Sequence, residues 1–234
     1  MKLVIIFLIL VFTGVGIAVF TTKKPELVKI NPGVPEGNIV YLPLGDSYTI
    51  GQGVSESERW PNQLASELEK TGIGLTIGAN PSRTGFTSQD LIDNELPFLA
   101  QTKPDFVTVQ IGVNDWVQGV PAQTFQKNLQ NILDQLQAAQ AKILIVTIPD
   151  FGKTPSGAGF GKPEEITAGL QAFNKIIQGE ASKRNIPVAD VFASSQQVTN
   201  DSALVAPDGL HPSGKQYAQW TEIILPLTIK LLDQ

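Results

Sequence analysis

Residues 39–48 read IVYLPLGDSY, an apolar run followed by a short polar segment. Its first six residues are mostly apolar, which predicts a buried strand, and Gly45 and Asp46 then predict a turn. Four further apolar runs follow along the chain and predict four more strands, at 74–79, 105–111, 142–148 and 186–191.

Helical patterns lie between these runs. They predict helices over 60–70, 88–101, 122–140, 163–184 and from 213 to the end. The clearest stripe follows the three-four spacing of one helix face and consists of Phe125, Leu129, Ile132, Leu133 and Leu136. Alternating strands and helices predict right-handed βαβ units, so we expect residues 39–234 to form one doubly wound α/β domain around a parallel sheet.

Charge and composition exclude several classes of protein. The 234 residues include 17 basic and 22 acidic side chains, giving a net charge of −5, and a nucleic-acid partner would need a basic face. There is no Cys and only one His, which excludes thiolate chemistry and disulfides and argues against a His-clustered metal site. We therefore expect no nucleic-acid partner, no metal and no cofactor.

The N-terminus differs from the rest of the chain. Residues 3–20 carry no charge and would span about 27 Å as a helix, close to the thickness of a bilayer core. We expect residues 1–22 to be a membrane anchor or signal peptide and residues 23–38 to be a linker. The domain should lie outside the cytoplasm, anchored by an uncleaved segment, or secreted if that segment is cleaved.

Polar residues follow several of the predicted strands at their carboxyl ends, which is the edge where doubly wound sheets bind ligands. Ser47 follows the first strand, Gly85 the second and Asn114 the third. Asp208 and His211 follow the fifth strand, immediately before the last helix. The fold should bring these segments together although they are far apart in sequence.

These residue types suit acyl transfer. A serine hydroxyl is a weak nucleophile until a base takes its proton, and His211 is the only imidazole in the chain. Asp208, three residues earlier, can hold the other ring nitrogen. The backbone N–H groups of Ser47 and Gly85 and the side-chain amide of Asn114 are candidate donors to a developing oxyanion.

The region from residue 39 to the C-terminus resembles the SGNH (GDSL-type) serine hydrolases. The four marker residues of that family map onto Ser47 in GDS, Gly85 in RTGF, Asn114 in GVND and His211 in DGLHP, with Asp208 as the third triad member. The resemblance implies a flavodoxin-like three-layer α/β/α sandwich with a five-stranded parallel sheet. It also implies hydrolysis of carboxylic esters, acyl lipids, acylated sugars or thioesters. The chain departs from the family in having Tyr48 where Leu is usual.

Substrate-binding residues are harder to predict. Four apolar side chains flank the marker residues and are candidates for an acyl pocket, although each could equally belong to the core: Ile50, Phe86, Val113 and Trp116. The Gly- and Pro-rich segment 150–162 follows the fourth strand and is a candidate rim of the site, or an ordinary surface loop.

A second class of protein also fits part of the pattern. A non-catalytic or nucleotide-binding flavodoxin-like module could use Ser47, Thr49 and Gly51 as a phosphate cradle. However, Asp46 would repel phosphate, and no complete phosphate-binding glycine motif follows a strand. Such a module would have no need of Asp208 and His211 together, so the sequence favours the hydrolase. A degenerate hydrolase retained for carbohydrate binding is a further alternative, but the intact Ser47, Asn114 and His211 argue against it.

Overall fold

A computed structural model of the protein describes residue 35 and residues 37–233. The predicted membrane segment, residues 1–22, lies outside the described residues, as does most of the predicted linker. Within the described part of the chain, no helix is both long and apolar enough to cross a membrane.

Five parallel strands form one sheet in the order β2-β1-β3-β4-β5. Their bounds are β1 Ile39–Gly45, β2 Leu75–Ile77, β3 Phe106–Gln110, β4 Lys142–Val146 and β5 Val188–Ala189. β1 is paired with β3 through five residues, whereas β2 and β5 are short strands at the two edges of the sheet.

Nine α-helices occur among the described residues. They are α1 Ser47–Ile50, α2 Trp60–Lys70, α3 Ser88–Asn94, α4 Phe98–Thr102, α5 Val113–Val117, α6 Ala122–Ala138, α7 Pro163–Lys183, α8 Phe192–Ser195 and α9 Gly214–Leu232. α2 packs against α9, while α6 packs against both α3 and α7.

The connections between strands place helices on both faces of the sheet. Because the connections β1→β2 and β2→β3 run in opposite directions across the sheet, right-handed crossovers place their helices on opposite faces. The expected flavodoxin-like three-layer α/β/α sandwich is confirmed.

The predicted core stripe of α6 is confirmed, because its five apolar side chains are fully buried: Phe125, Leu129, Ile132, Leu133 and Leu136. They cover one face of the sheet together with α7, and Phe125 stacks on Phe173 of α7 with 4.7 Å between the ring centroids. Burial of aromatic and branched side chains of this size is the main driving force for such a layer.

One predicted helix, 88–101, is wrong as a continuous element. The structure divides it into α3 and α4, with Glu95, Leu96 and Pro97 between them. Proline has no N–H to donate and disfavours helical geometry in the residue before it, so the first helix ends ahead of Pro97. The outer strands β2 and β5 are also shorter than the apolar runs 74–79 and 186–191 suggest.

Candidate active site

Ser47, His211 and Asp208 form a hydrogen-bonded chain at the carboxyl edge of the sheet. Ser47 Oγ lies 2.9 Å from His211 Nε2, and His211 Nδ1 lies 2.6 Å from Asp208 Oδ2. The serine and histidine side chains are nearly buried, at 5% and 6% exposure. The structure therefore brings together the three residues that the sequence suggests as nucleophile, general base and orienting carboxylate.

Ser47 is placed by the tight end of β1. Gly45 is the last strand residue, and a Cβ there would collide with the carbonyl oxygen of Gln110 and the hydroxyl of Thr49. Asp46 then caps the one-turn helix α1, since its carboxyl accepts a hydrogen bond from the Tyr48 backbone N–H at 3.0 Å. Ser47 is the first residue of α1, with its hydroxyl at the edge of the sheet.

Asp208 and His211 are held by a tight loop before α9. The Ala206 N–H donates to the His211 carbonyl, and the Gly209 N–H donates back to the Ala206 carbonyl. Gly209 has φ +74°, a left-handed conformation that glycine adopts without a Cβ penalty. Asp208 Oδ1 accepts from the N–H groups of both Leu210 and His211 at 2.9 Å, so the carboxylate orientation is fixed by the backbone.

Of the residues predicted to donate to an oxyanion, Ser47 and Asn114 line the small cavity beside His211, whereas Gly85 is not among its lining residues. No backbone hydrogen bond within residues 37–233 uses the N–H of Ser47 or of Gly85. The Asn114 amide lines the same cavity and donates one of its two hydrogens to the Phe86 carbonyl at 2.9 Å, which leaves the other available. Gln118 holds the Gly85 carbonyl at 3.2 Å, so Gln118 and Asn114 both fix the loop that carries Gly85.

Asp115 joins the helix of Asn114 to the segment after Gly85. Its carboxylate accepts hydrogen bonds from the backbone N–H of Ser88 at 2.7 Å and from the Ser88 hydroxyl. The carboxyl groups of Asp115 and Asp46 thus accept local hydrogen bonds, from Ser88 and from the Tyr48 N–H. The described residues contain no cluster of three or more His, Cys, Asp or Glu side chains able to hold a metal ion.

The carboxyl groups around the site differ in their charge state. Burial raises the pKa of Asp208, but hydrogen bonds from Leu210, from the backbone of His211 and from its ring outweigh burial and hold that pKa below the ordinary value. Burial raises the pKa of Asp46 to about 8, even though the Tyr48 N–H lowers it. Asp208 is therefore ionised at neutral pH, as the partner of an imidazole must be.

A small cavity of about 60 Å³ opens beside Ser47 and His211. Its apolar walls come from Tyr48, Val113, Val117, Phe151, Phe160 and Leu210. Among the described large hydrophobic residues, Val117 and Phe160 are the two exposed ones, at 39% and 47%, and both lie on this cavity.

Of the four predicted substrate-binding residues, only Val113 lines the cavity. Trp116 packs over Gly169 of α7, where a Cβ would collide with its indole, and it meets Phe151 edge-on at 6.0 Å. The carbonyl of Phe86 binds Asn114, and Ile50 lies at the end of α1 outside the lining. Apolar neighbours of a marker residue could not be divided into pocket and core from their positions in the sequence.

Two lining residues, Phe151 and Phe160, come from the segment 150–162 that was proposed as a rim. This segment is bonded to the loop of Asp208, because the Ser156 N–H donates to the Gly209 carbonyl at 2.8 Å and its hydroxyl donates to the Asp208 carbonyl at 3.1 Å. The Gly- and Pro-rich composition was the signal that pointed to the rim.

Comparisons with known proteins show the family of the chain. Residues 44–219 match the model of the GDSL-like Lipase/Acylhydrolase family, and the chain belongs to that family. It is 30% identical over 173 residues to thioesterase 1/protease 1/lysophospholipase L1 of Escherichia coli K12, covering 74% of each chain. It is 25% identical over 194 residues to esterase TesA of Pseudomonas aeruginosa, covering 82% of this chain and 88% of the relative.

A crystal structure of TesA superposes with a TM-score of 0.67 at 25% identity, covering 82% of this chain and 99% of that one. The protein is therefore a hydrolase that acts on ester bonds. The alternative of a non-catalytic binding module is not supported by these relatives.

Proposed function

We propose that the protein hydrolyses carboxylic esters through an acyl-enzyme on Ser47, with His211 as general base and Asp208 as its orienting carboxylate. The observation that carries this proposal is the hydrogen-bonded chain from Ser47 Oγ through the imidazole to the Asp208 carboxylate. A nucleophile, a base within hydrogen-bond reach and a group that orients the base are the arrangement that acyl transfer requires.

The reaction follows from this geometry. As Ser47 Oγ attacks the ester carbonyl carbon, its proton passes to His211 Nε2, and Asp208 stabilises the resulting imidazolium through Nδ1–H. The imidazolium then gives that proton to the departing alcohol or thiol, which leaves Ser47 acylated. Water, deprotonated by the same imidazole, then attacks the acyl group. The bond between the acyl carbon and Ser47 Oγ breaks, the acid leaves, and the imidazolium returns its proton to Ser47 Oγ.

We assign the oxyanion hole to the N–H groups of Ser47 and Gly85 and to the Asn114 amide. Negative charge develops on the carbonyl oxygen during both attacks, and donors fixed in advance stabilise it without reorganisation. The bonds from Asn114 to Phe86 and from Gln118 to Gly85 hold two of these donors in place before substrate arrives.

The cavity walls support a substrate with an apolar acyl group. Val113, Val117, Phe151 and Phe160 offer aliphatic and aromatic surface beside Ser47, and Val117 and Phe160 are solvent-exposed. An exposed apolar patch at a reactive serine is stabilised when an acyl chain covers it. Acyl esters, acyl thioesters and lysophospholipids fit this chemistry and agree with the names of the relatives.

We also propose that residues 1–22 anchor the domain on the outer side of a membrane. The uncharged run 3–20 is long enough to cross the hydrocarbon core, and the residues after it are rich in Pro and Gly. This position would place the active site near lipid and near extracytoplasmic esters.

One experiment tests both proposals. Membranes from cells expressing the full chain are washed with high salt and treated with a fluorophosphonate, which reacts with activated serines. A single labelled band should remain in the membrane fraction, Ser47→Ala should abolish it, and Ser57→Ala, at an exposed serine, should not change it. Labelling that survives Ser47→Ala contradicts the nucleophile, and release of the labelled protein by salt contradicts the anchor.

A further inference from the structure

Glu95 is a buried carboxyl group that binds Gly45, two residues before Ser47, and the mechanism above does not use it. Its side chain is 0% exposed. It follows the last residue of α3, at the point where Pro97 interrupts the predicted helix 88–101. The break directs the Glu95 side chain toward the outer edge of β1.

The last residues of β1 are not paired with β2 on that edge. Backbone groups of alternate β1 residues point toward β2: the Ile39 N–H donates to Gly74, and the Tyr41 carbonyl accepts from Gly78, each at 2.8 Å. β2 ends near the level of Tyr41, although β1 continues to Gly45. The last residues of β1 therefore have no strand partner on this side.

Glu95 takes the place of the missing strand. By the same alternation, the backbone groups of residues 43 and 45 point to the side where β2 has ended. Pro43 has no N–H that needs an acceptor there. Gly45 does have one, and it donates to Glu95 Oε2 at 2.8 Å in a buried position. A buried N–H without an acceptor destabilises the folded state, so this contact holds the end of the strand.

The position of Gly45 determines that of Ser47. Asp46 follows it, and the Asp46 carbonyl accepts the first helical hydrogen bonds of α1, from Thr49 and Ile50. A Cβ on Gly45 would collide with the Gln110 carbonyl and the Thr49 hydroxyl, so there is little free space on that side of its Cα. A shift of the Gly45 amide would displace α1 and the serine hydroxyl at its start.

We propose that Glu95 is a positioning residue for Ser47: its side chain supplies the acceptor that the short β2 leaves missing at Gly45, and so fixes the turn that carries the nucleophile. This inference rests on the proposed function, because it takes Ser47 as the nucleophile. A displacement near 1 Å of a reacting group can lower a rate by about 100-fold, so a small change at Gly45 is sufficient.

The variants that test the positioning role of Glu95 are chosen from its protonation state and its length. Burial raises the pKa of Glu95 well above its ordinary value and outweighs the hydrogen bond from the Gly45 N–H, which lowers it. Negative charge on Asp46 or Asp90, when either group is ionised, raises the pKa of Glu95 further. The neutral carboxylic acid is thus favoured. Glutamine is neutral and of the same length, and its carbonyl can accept from Gly45, whereas aspartate retracts the acceptor by one methylene.

The test compares Glu95→Gln and Glu95→Asp, with Asp93→Asn as the matched control on an exposed position of α3. Ester hydrolysis gives kcat and KM, and the rate of fluorophosphonate labelling reports the nucleophile separately. Glu95→Gln should keep at least about a third of kcat. Glu95→Asp should lower kcat and the labelling rate together by about tenfold or more, with KM within about twofold.

Two results would overturn the inference: wild-type kcat in folded Glu95→Asp, or a loss in Glu95→Gln as large as that in Glu95→Asp. The first would leave Glu95 a purely structural residue, which changes the midpoint of unfolding without changing kcat. Failure of the proposed function is distinct, since the wild-type protein would then show no labelling that depends on Ser47.

Discussion

Replacing Asp208 by Asn should inactivate the enzyme and leave it folded, because the two oxygens of this carboxylate have different partners. Oδ1 accepts from the backbone N–H groups of Leu210 and His211, and Oδ2 contacts His211 Nδ1. An amide has only one oxygen, and an NH₂ group in the Oδ1 position would face two donors. The Asn side chain should therefore keep its oxygen there and turn its NH₂ group toward the imidazole.

This orientation forces the wrong tautomer on His211. Nδ1 must accept the hydrogen bond from the amide, so the ring proton moves to Nε2, which lies 2.9 Å from Ser47 Oγ. A protonated Nε2 cannot take the serine proton, and the corresponding substitution in a chymotrypsin-like protease lowers kcat by about 10⁴-fold. Both backbone hydrogen bonds are retained and Asp208 is 32% exposed, so the free energy of unfolding should fall by no more than about 1–2 kcal/mol.

The assay is hydrolysis of a p-nitrophenyl ester, with urea unfolding as the measure of stability. Asp201→Asn is a matched control, because Asp201 also accepts from a backbone N–H, that of Ala203, and uses its second oxygen for Lys215. The control should keep kcat within about twofold. His211 is the only histidine, so nitrogen NMR reads its tautomer directly.

Two observations would refute the reasoning. The first is Asp208→Asn retaining more than about a tenth of the wild-type kcat, since a wrong tautomer should reduce it far more. The second is an inactive variant whose imidazole still carries its proton on Nδ1, because the loss of activity would then have another cause.

Two further predictions concern the groups around Ser47. Asn114→Ala should lower kcat by about 10²–10³-fold with little change in KM, as loss of one oxyanion donor does, and unchanged kcat would reduce Asn114 to a structural partner of Phe86. The pKa of the Asp46 carboxyl is about 8 in the folded state and about 3.9 in the unfolded state. Between about pH 3.9 and about pH 8 the folded state therefore binds one proton more than the unfolded state, and the free energy of unfolding falls as the pH rises through this range. Asp46→Asn should remove about 1.4 kcal/mol per pH unit from that slope in urea unfolding, and identical slopes would contradict the raised pKa.

The sequence was sufficient to predict the sheet and to predict that Ser47, Asp208 and His211 meet at its edge. Buried parallel strands are short apolar runs, and the residues after their carboxyl ends meet at one edge of the sheet whatever their distance along the chain. Ser47 and His211 are 164 positions apart and are nevertheless in hydrogen-bond contact. A serine, a histidine and an aspartate at that edge then pointed to acyl transfer.

The acyl pocket could not be predicted in the same way. Val113 and Trp116 are both apolar and three positions apart, but Val113 lines the cavity and Trp116 packs on Gly169. Apolar character indicates burial without naming the partner, and the partner depends on how α5 and α7 pack. The rim residue Phe160 was identifiable only as part of a Gly- and Pro-rich segment.

The role of Glu95 required the structure for a different reason. In the sequence it occupies an ordinary position in a helical pattern, and nothing marks it as buried. Its function depends on where β2 ends, and the apolar run 74–79 does not show that the strand itself stops at Ile77. A side chain takes this role only where the neighbouring strand ends early. The ends of strands and helices are the features that a local sequence pattern predicts least well.

Polar contacts between loops hold the site together, in addition to the apolar core below it. Asp115 binds Ser88 and so joins the helix of Asn114 to the segment after Gly85, and Ser156 binds the loop of Asp208. Each catalytic segment is thus fixed by a side chain from another segment. Loss of such a contact moves the reacting groups relative to one another while the sheet remains intact, so these positions should affect kcat more strongly than they affect stability.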